Sequence, residues 1–162
     1  MSAQERVSPR ALRLRCNAAI PEVDLGTDIF AFRDDQEEVA RLQVKACTVP
    51  LIYADGSGYS AKFVLPMKQL ERSNRRPPQF YVLAVLRDEK WSDFLIVSWQ
   101  RLQSYVGEAT KFGSLNKANN DLEIIVEFRA KVECSGRDLT DCRNAWASLP
   151  PLRVTAKPQQ LV

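Results

Sequence analysis

Alternating hydrophobic and polar positions divide the first third of the chain into two neighbouring strands. Val23 to Phe32 forms the first, with apolar side chains on one parity. Val39 to Cys47 forms the second. One of its faces carries the apolar residues Ala40, Leu42, Val44 and Ala46, and the other carries the polar residues Arg41, Gln43 and Lys45. A period of two is typical of half-buried strands. Because the residues between them are charged (33–38), the pair is predicted to be a hairpin.

The middle of the chain predicts three more strands and two helices. The strands are Tyr59–Leu65, Phe80–Leu86 and Phe94–Ser98. Phe80–Leu86 is apolar at every position, which is typical of a central strand covered on both faces. One helix is predicted over Met67–Ser73 after Pro66, and another over Trp99–Val106 with Ser98 as its N-cap.

The C-terminal third predicts one strand, Leu122–Val132, and one helix that begins near Asp138 or Thr140 and ends at Leu149. With about five or six strands and three or four helices, the expected fold class is α/β (α+β). Residues 1–162 are expected to form a single domain, in which 107–150 is a C-terminal strand–helix extension and 151–162 a tail.

The composition excludes several classes of protein. The chain has 45% hydrophobic and 27% charged residues, which excludes wholesale disorder. Its longest apolar run has about seven residues, against about 20 for a membrane helix, and the first twenty residues carry no secretory signal. A cytoplasmic protein without a membrane partner is therefore expected. Because the chain contains no histidine, a Ser-His-Asp triad and His-ligated metal sites are excluded within it.

The four cysteines, Cys16, Cys47, Cys134 and Cys142, have a spacing that matches no zinc site or redox pair. They are expected to be reduced and mostly buried, with a Cys134–Cys142 disulfide as the alternative. The net charge of +3 permits a nucleic-acid partner without arguing for one, because the basic residues are interleaved with twenty acidic ones.

The predicted hairpin brings together one set of polar side chains. If its loop is centred between Asp35 and Gln36, Asp28 lies opposite Gln43, and Asp24 and Lys45 share their face. A carboxylate is a hard oxygen ligand for Mg²⁺, and a lysine can orient or deprotonate the attacking water in phosphodiester hydrolysis. The alternative interpretation is a polar row with an Asp–Lys pair that faces solvent.

The same residues resemble the core of the PD-(D/E)XK nuclease superfamily. Gly26-Thr27-Asp28 followed by Gln43-Val44-Lys45 is similar to its bacterial members with a G-x-D strand and a Q-V-K strand. The order of elements extends the resemblance: a short aromatic strand from Gly58, then a buried strand introduced by Pro77 and Pro78. It covers residues 20–106 and implies a restriction-endonuclease-like mixed central sheet flanked by helices.

The resemblance also implies roles for individual residues. Asp28 would be the metal-binding carboxylate and Lys45 the catalytic lysine, while Gln43 occupies a position more often held by Asp or Glu. The backbone carbonyl of Val44 would be a further metal ligand, with Asp24 as an additional candidate. Glu5 and Glu22 are the candidates for an N-terminal glutamate ligand, although neither fits the pattern well. The expected cofactor is Mg²⁺ or Mn²⁺.

The function that follows is a Mg²⁺-dependent endonuclease that acts on DNA, in restriction, repair or defence against mobile elements. RNA is the alternative substrate, and a homodimer is the expected assembly. Phosphate contacts are expected from the basic residues that follow the motif: Lys62, Lys68, Arg72, Arg75 and Arg76. One rival is an inactive nuclease fold that binds nucleic acid or a protein. The other is a protein-interaction module that pairs through Leu122–Val132 at a sheet edge.

Overall fold

Two β-sheets share a hydrophobic core in the computed structural model, which describes residues 17–21, 28–33, 36–71, 77–107 and 112–152. Over these ranges the fold is α+β and its first sheet is mixed, which confirms the predicted fold class. No helix within these ranges has both the length and the apolar character needed to span a membrane.

The first sheet has the order β1-β2-β3-β6-β7. Its strands are Asn17–Ala19, Ile29–Arg33, Gln36–Cys47, Gln79–Arg87 and Lys90–Ser98. Strands β3 and β6 are parallel, and the other pairs are antiparallel. A parallel pair requires a crossover connection, which the residues between Cys47 and Gln79 supply. Strand β6 lies between β3 and β7 with both faces buried, as its uninterrupted apolar run predicted.

The second sheet has the order β4-β5-β9-β10-β11, and β8 pairs with the start of β9. Its strands are Leu51–Ile52, Tyr59–Pro66, Asp121–Phe128, Val132–Cys134 and Arg137–Asp138, with β8 at Ser114–Asn116. Strand β5 pairs with β9 along its whole length, so the extension of residues 107–150 shares a sheet with a strand of the predicted nuclease-like core. Gly58 permits this pairing, because a Cβ there would collide with the carbonyl oxygen of Phe128.

Two short helices pack beside the core between the sheets: α1 (Met67–Leu70) and α2 (Trp99–Gly107). The Ser98 hydroxyl accepts the N–H of Arg101 at 3.2 Å, which confirms the predicted N-cap of α2. Helix α1 ends at Leu70 and is therefore shorter than the predicted Met67–Ser73. Cys47, Cys134 and Cys142 are buried free thiols, so the alternative disulfide is wrong.

Two predictions for the C-terminal third are wrong. Leu122–Val132 is not one strand, because the chain turns at Arg129–Lys131 and separates β9 from β10. Since β9 pairs on both sides, it is not exposed at a sheet edge, which was the condition for its pairing with another chain. The predicted last helix is replaced by three 3₁₀ turns: Thr140–Cys142, Trp146–Ser148 and Pro150–Leu152. Asn144 adopts a left-handed φ of 53°, which interrupts any continuous helix there.

Candidate functional site

The β2–β3 hairpin places Asp28 beside Gln43. Its register pairs Ile29 with Leu42, so the predicted alignment of the two strands is confirmed. The Asp28 Oδ2 atom accepts a hydrogen bond from Gln43 Nε2 at 2.7 Å and another from the Val44 backbone N–H at 2.6 Å. Three of the predicted site residues are therefore in direct contact.

This contact forms where the backbone pairing of the hairpin ends. Strand β2 begins at Ile29, and just before it the Asp28 carboxylate accepts the hydrogen bond of the Val44 N–H. In an extended strand the N–H and C=O of one residue point to the same side. The carbonyl of Val44 is therefore directed toward the side of β3 on which Asp28 lies, as the predicted metal-ligand role requires.

The site is part of a buried polar row on one face of the first sheet. Asp28 is 9% exposed, Gln43 3% and Arg41 7%, although polar side chains are rarely so buried. The Arg41 Nε atom donates to the carbonyl of Pro77 at 3.0 Å, which ties the row to the chain that leads into β6. The parallel register places Tyr81 of β6 beside Gln43.

Gln43 and its neighbour Tyr81 each have a side-chain oxygen that lacks a hydrogen-bond partner among the residues that the structure describes. These atoms are the Oε1 atom of Gln43 and the hydroxyl of Tyr81, and both are buried. Burial raises the pKa of Tyr81, so its hydroxyl stays protonated and able to donate. Sequence reasoning assigned no role to Arg41 or Tyr81. The parity that Arg41 shares with Gln43 was a usable signal, whereas the position of Tyr81 depends on the register of β3 and β6.

Lys45 lies two residues beyond Gln43 on the same face of β3 and is half-buried. Its register partner on β6 is Leu83. Among the described residues, no acidic side chain forms an ion pair with the Lys45 ammonium group. Lys45 thus follows the Asp28–Gln43 contact along the strand, as the sequence predicted.

The predicted phosphate-binding residues fall into three groups. Lys62 lies on β5 and forms an ion pair with Glu123 at 2.7 Å. Its neighbours Ala61 and Phe63 are buried between the sheets, so Lys62 points away from the first sheet and the structure does not bring it to Asp28. Lys68 is exposed on α1. The other predicted site residues lie outside the described residues: Arg72, Arg75, Arg76, Asp24, Glu5 and Glu22.

The donor atoms around Asp28 fit a small divalent cation. They are oxygens: the carboxylate of Asp28 and the carbonyl of Val44, whose N–H donates to that carboxylate. Mg²⁺ prefers such hard ligands and commonly uses only one or two carboxylates. The described residues contain no group of three or more acidic, cysteine or histidine side chains that could hold a metal. A cation here would therefore bind chiefly through neutral oxygens.

A second buried carboxylate, Asp93, lies on β7 and is 4% exposed. Its Oδ2 atom accepts a short hydrogen bond from the Tyr59 hydroxyl, and its Oδ1 atom accepts one from Arg143 Nε at 2.7 Å. Burial, and secondarily the bond to Asp93, raise the pKa of Tyr59. These contacts join both sheets to the C-terminal turns. Sequence reasoning did not identify this cluster.

Comparisons with known proteins identify no relative of this chain, so the interpretation of the site depends on its geometry. No protein-family model, no curated protein and no solved structure matches this chain.

Proposed function

We propose that the protein is a cytoplasmic, Mg²⁺-dependent endonuclease-like domain that hydrolyses phosphodiester bonds in DNA. The observation that supports this function best is the contact of Asp28 with Gln43 and the Val44 N–H, in the register expected for a PD-(D/E)XK site. Lys45 follows on the same face of β3, where a general base or a charge-stabilising group is needed.

In this mechanism Asp28 and the Val44 carbonyl would hold the cation. When bound, Mg²⁺ would lower the pKa of a nearby water and stabilise negative charge on the phosphate. Gln43 Nε2 holds the Asp28 carboxylate in place. Lys45 orients the attacking water, accepts its proton or stabilises the charge that develops on the phosphate.

A cleavage assay tests this function with plasmid and single-stranded DNA in Mg²⁺ or Mn²⁺. Asp28→Asn and Lys45→Ala are each expected to lower the cleavage rate by roughly 100-fold or more, since each removes a group that acts in the reaction. Lys90→Ala is the matched control, because Lys90 is an exposed strand lysine outside the predicted site. An inactive wild type, or a Lys45→Ala variant as active as the wild type, would contradict the proposal.

Gln43→Glu provides a gain-of-function test. A second carboxylate beside Asp28 is expected to tighten Mg²⁺ binding by roughly tenfold, because each added anionic ligand increases the attraction for the cation. Isothermal titration with Mg²⁺ and the Mg²⁺ dependence of cleavage measure this change. Gln103→Glu, on the exposed side of α2, controls for the added charge alone. Equal Mg²⁺ affinities in the wild type and Gln43→Glu would argue against a cation at this position.

A second candidate function is nucleic-acid or protein binding without cleavage. The observation that favours it is the burial of Asp28, whose carboxylate completes the backbone pairing of the hairpin by accepting the Val44 N–H. Salt-dependent DNA binding by a wild type that cuts no substrate with either metal would favour this function over hydrolysis.

A further inference from the structure

Two buried polar atoms lie on neighbouring strands without a described partner. Gln43 on β3 and Tyr81 on β6 are aligned in the parallel register, and their side chains project from the same face of the sheet. The Gln43 Oε1 atom can only accept a hydrogen bond, and the neutral Tyr81 hydroxyl can donate one. Since buried polar groups in proteins are nearly always hydrogen-bonded, two complementary unsatisfied atoms at adjacent positions require an explanation.

Among the described residues, the Gln43 amide is held on its nitrogen side only. Strand β3 lies between β2 and β6. The Nε2 atom of Gln43 faces the β2 side, where it donates to Asp28. Because the nitrogen and oxygen of an amide point in different directions from one planar group, Oε1 is directed away from the Nε2–Asp28 contact, and Tyr81 is the register neighbour of Gln43 on the β6 side.

We propose that Tyr81 is a positioning residue for Asp28. Its hydroxyl holds the Gln43 amide through one buried water, which accepts a hydrogen bond from Tyr81 and donates one to Gln43 Oε1. With its oxygen held, the amide cannot rotate, and its Nε2 atom remains directed at the Asp28 carboxylate. The consequence for cleavage rests on the proposed function, whereas the hydrogen-bond chain itself does not.

A double-mutant cycle with Tyr81→Phe and Gln43→Leu tests the chain in the full-length protein by urea unfolding. Tyr81→Phe is expected to lower the folding equilibrium constant roughly fivefold, as for the loss of one hydrogen bond, but to have little effect when Gln43 is already Leu. Tyr105→Phe, on α2, is the control and should be additive with Gln43→Leu. Additive effects of Tyr81→Phe, or a Tyr81→Phe protein as stable as the wild type, would overturn the proposal.

The side-chain amide of Gln43 gives a second readout that does not require the Gln43→Leu variant to fold. In NMR spectra of Tyr81→Phe, the Gln43 Nε2 protons are expected to shift and to exchange with solvent roughly tenfold faster or more, because the amide is no longer held on its oxygen side. They should be unchanged in Tyr105→Phe. Unchanged signals in Tyr81→Phe would contradict the positioning role.

Cleavage kinetics separate this inference from the proposed function. If the wild type cuts DNA, Tyr81→Phe is expected to lower kcat with little change in KM, since a displaced Asp28 affects the reacting groups more than substrate binding. A wild type that does not cut overturns the nuclease function, and the double-mutant cycle and the amide signals still decide the role of Tyr81.

Discussion

Asp28 and Asp93 are both buried carboxylates on the first sheet or at its end, but their surroundings differ. Asp93 receives hydrogen bonds on both oxygens, one of them from the guanidinium of Arg143, whose side chain is 39% exposed. The Oδ2 atom of Asp28 accepts hydrogen bonds from a neutral amide and a backbone N–H. Asp93 therefore resembles a structural junction, in which an ion pair joins distant segments.

The position of Asp28 in the fold explains why it is the better candidate for chemistry. It directly precedes β2, and its carboxylate lies beside the backbone of Val44, whose carbonyl is directed to the same side of β3. The burial of a carboxylate is thus a poor guide to function by itself. The groups around the carboxylate are more informative. Donors that hydrogen-bond both of its oxygens indicate a structural role, whereas neighbouring oxygen atoms are compatible with cation binding.

The largest expected effect is at Asp93. Asp93→Ala removes the acceptor for both Tyr59 and Arg143 and is expected to lower the free energy of unfolding by about 3 kcal/mol, because it leaves the buried Tyr59 hydroxyl without its acceptor and breaks the ion pair with the partly exposed Arg143. Urea unfolding measures the change, with the exposed Glu133→Ala as a control. A loss below about 1 kcal/mol would show that Asp93 is not a structural junction.

A smaller loss of stability is expected at Asp28. Asp28→Ala leaves the Gln43 amide and the Val44 N–H without their acceptor and is expected to cost about 2 kcal/mol, while Asp28→Asn, which keeps one oxygen, is expected to cost about 1 kcal/mol. Chemical unfolding of the two variants measures the difference. If Asp28→Ala were more destabilising than Asp93→Ala, the contrast between the two carboxylates would be reversed.

The smallest expected effect is at Tyr59, which changes the free energy of unfolding only in alkaline solution. Because the pKa of Tyr59 is raised in the folded protein, the unfolded chain loses this proton first as the pH rises above about 10. The stabilisation is fully present below that pH and declines above it. Tyr59→Phe is therefore expected to make the decline in the free energy of unfolding above pH 10 shallower. Unfolding at several pH values measures the slope, and an identical slope in Tyr59→Phe would contradict the prediction.

The sequence predicted the hairpin of the site because its determinants are local. Alternation fixed the face of β3 on which Gln43 and Lys45 lie, and the charged loop fixed the register. Asp93 could not be predicted in the same way, because Arg143 is 50 residues away and carries no periodic signal. Its partners are brought together only by the packing of both sheets and the C-terminal turns.

The errors in the C-terminal third also have physical causes. Phe128, Ala130 and Val132 keep the same parity across the turn between β9 and β10, so the alternation continued where the strand did not. Asp138 has the residue type of a helix cap, and its Oδ1 atom does accept the N–H of Thr140 at 2.8 Å. That bond is a local turn contact ahead of a 3₁₀ turn whose N-cap is Leu139, so the residue type of Asp138 did not encode the type or the length of the element that follows.

The pairing of β5 with β9 requires two distant parts of the chain to be present before the second sheet can form. The partner residues lie about sixty positions apart, so the loop between them must close before either strand is stabilised. During synthesis β5 leaves the ribosome well before β9 and presents an unpaired strand edge until its partner follows. A nascent chain that stops near residue 106 would hold the candidate site but leave this edge open. Association with other nascent chains or with chaperones is the expected hazard of that interval.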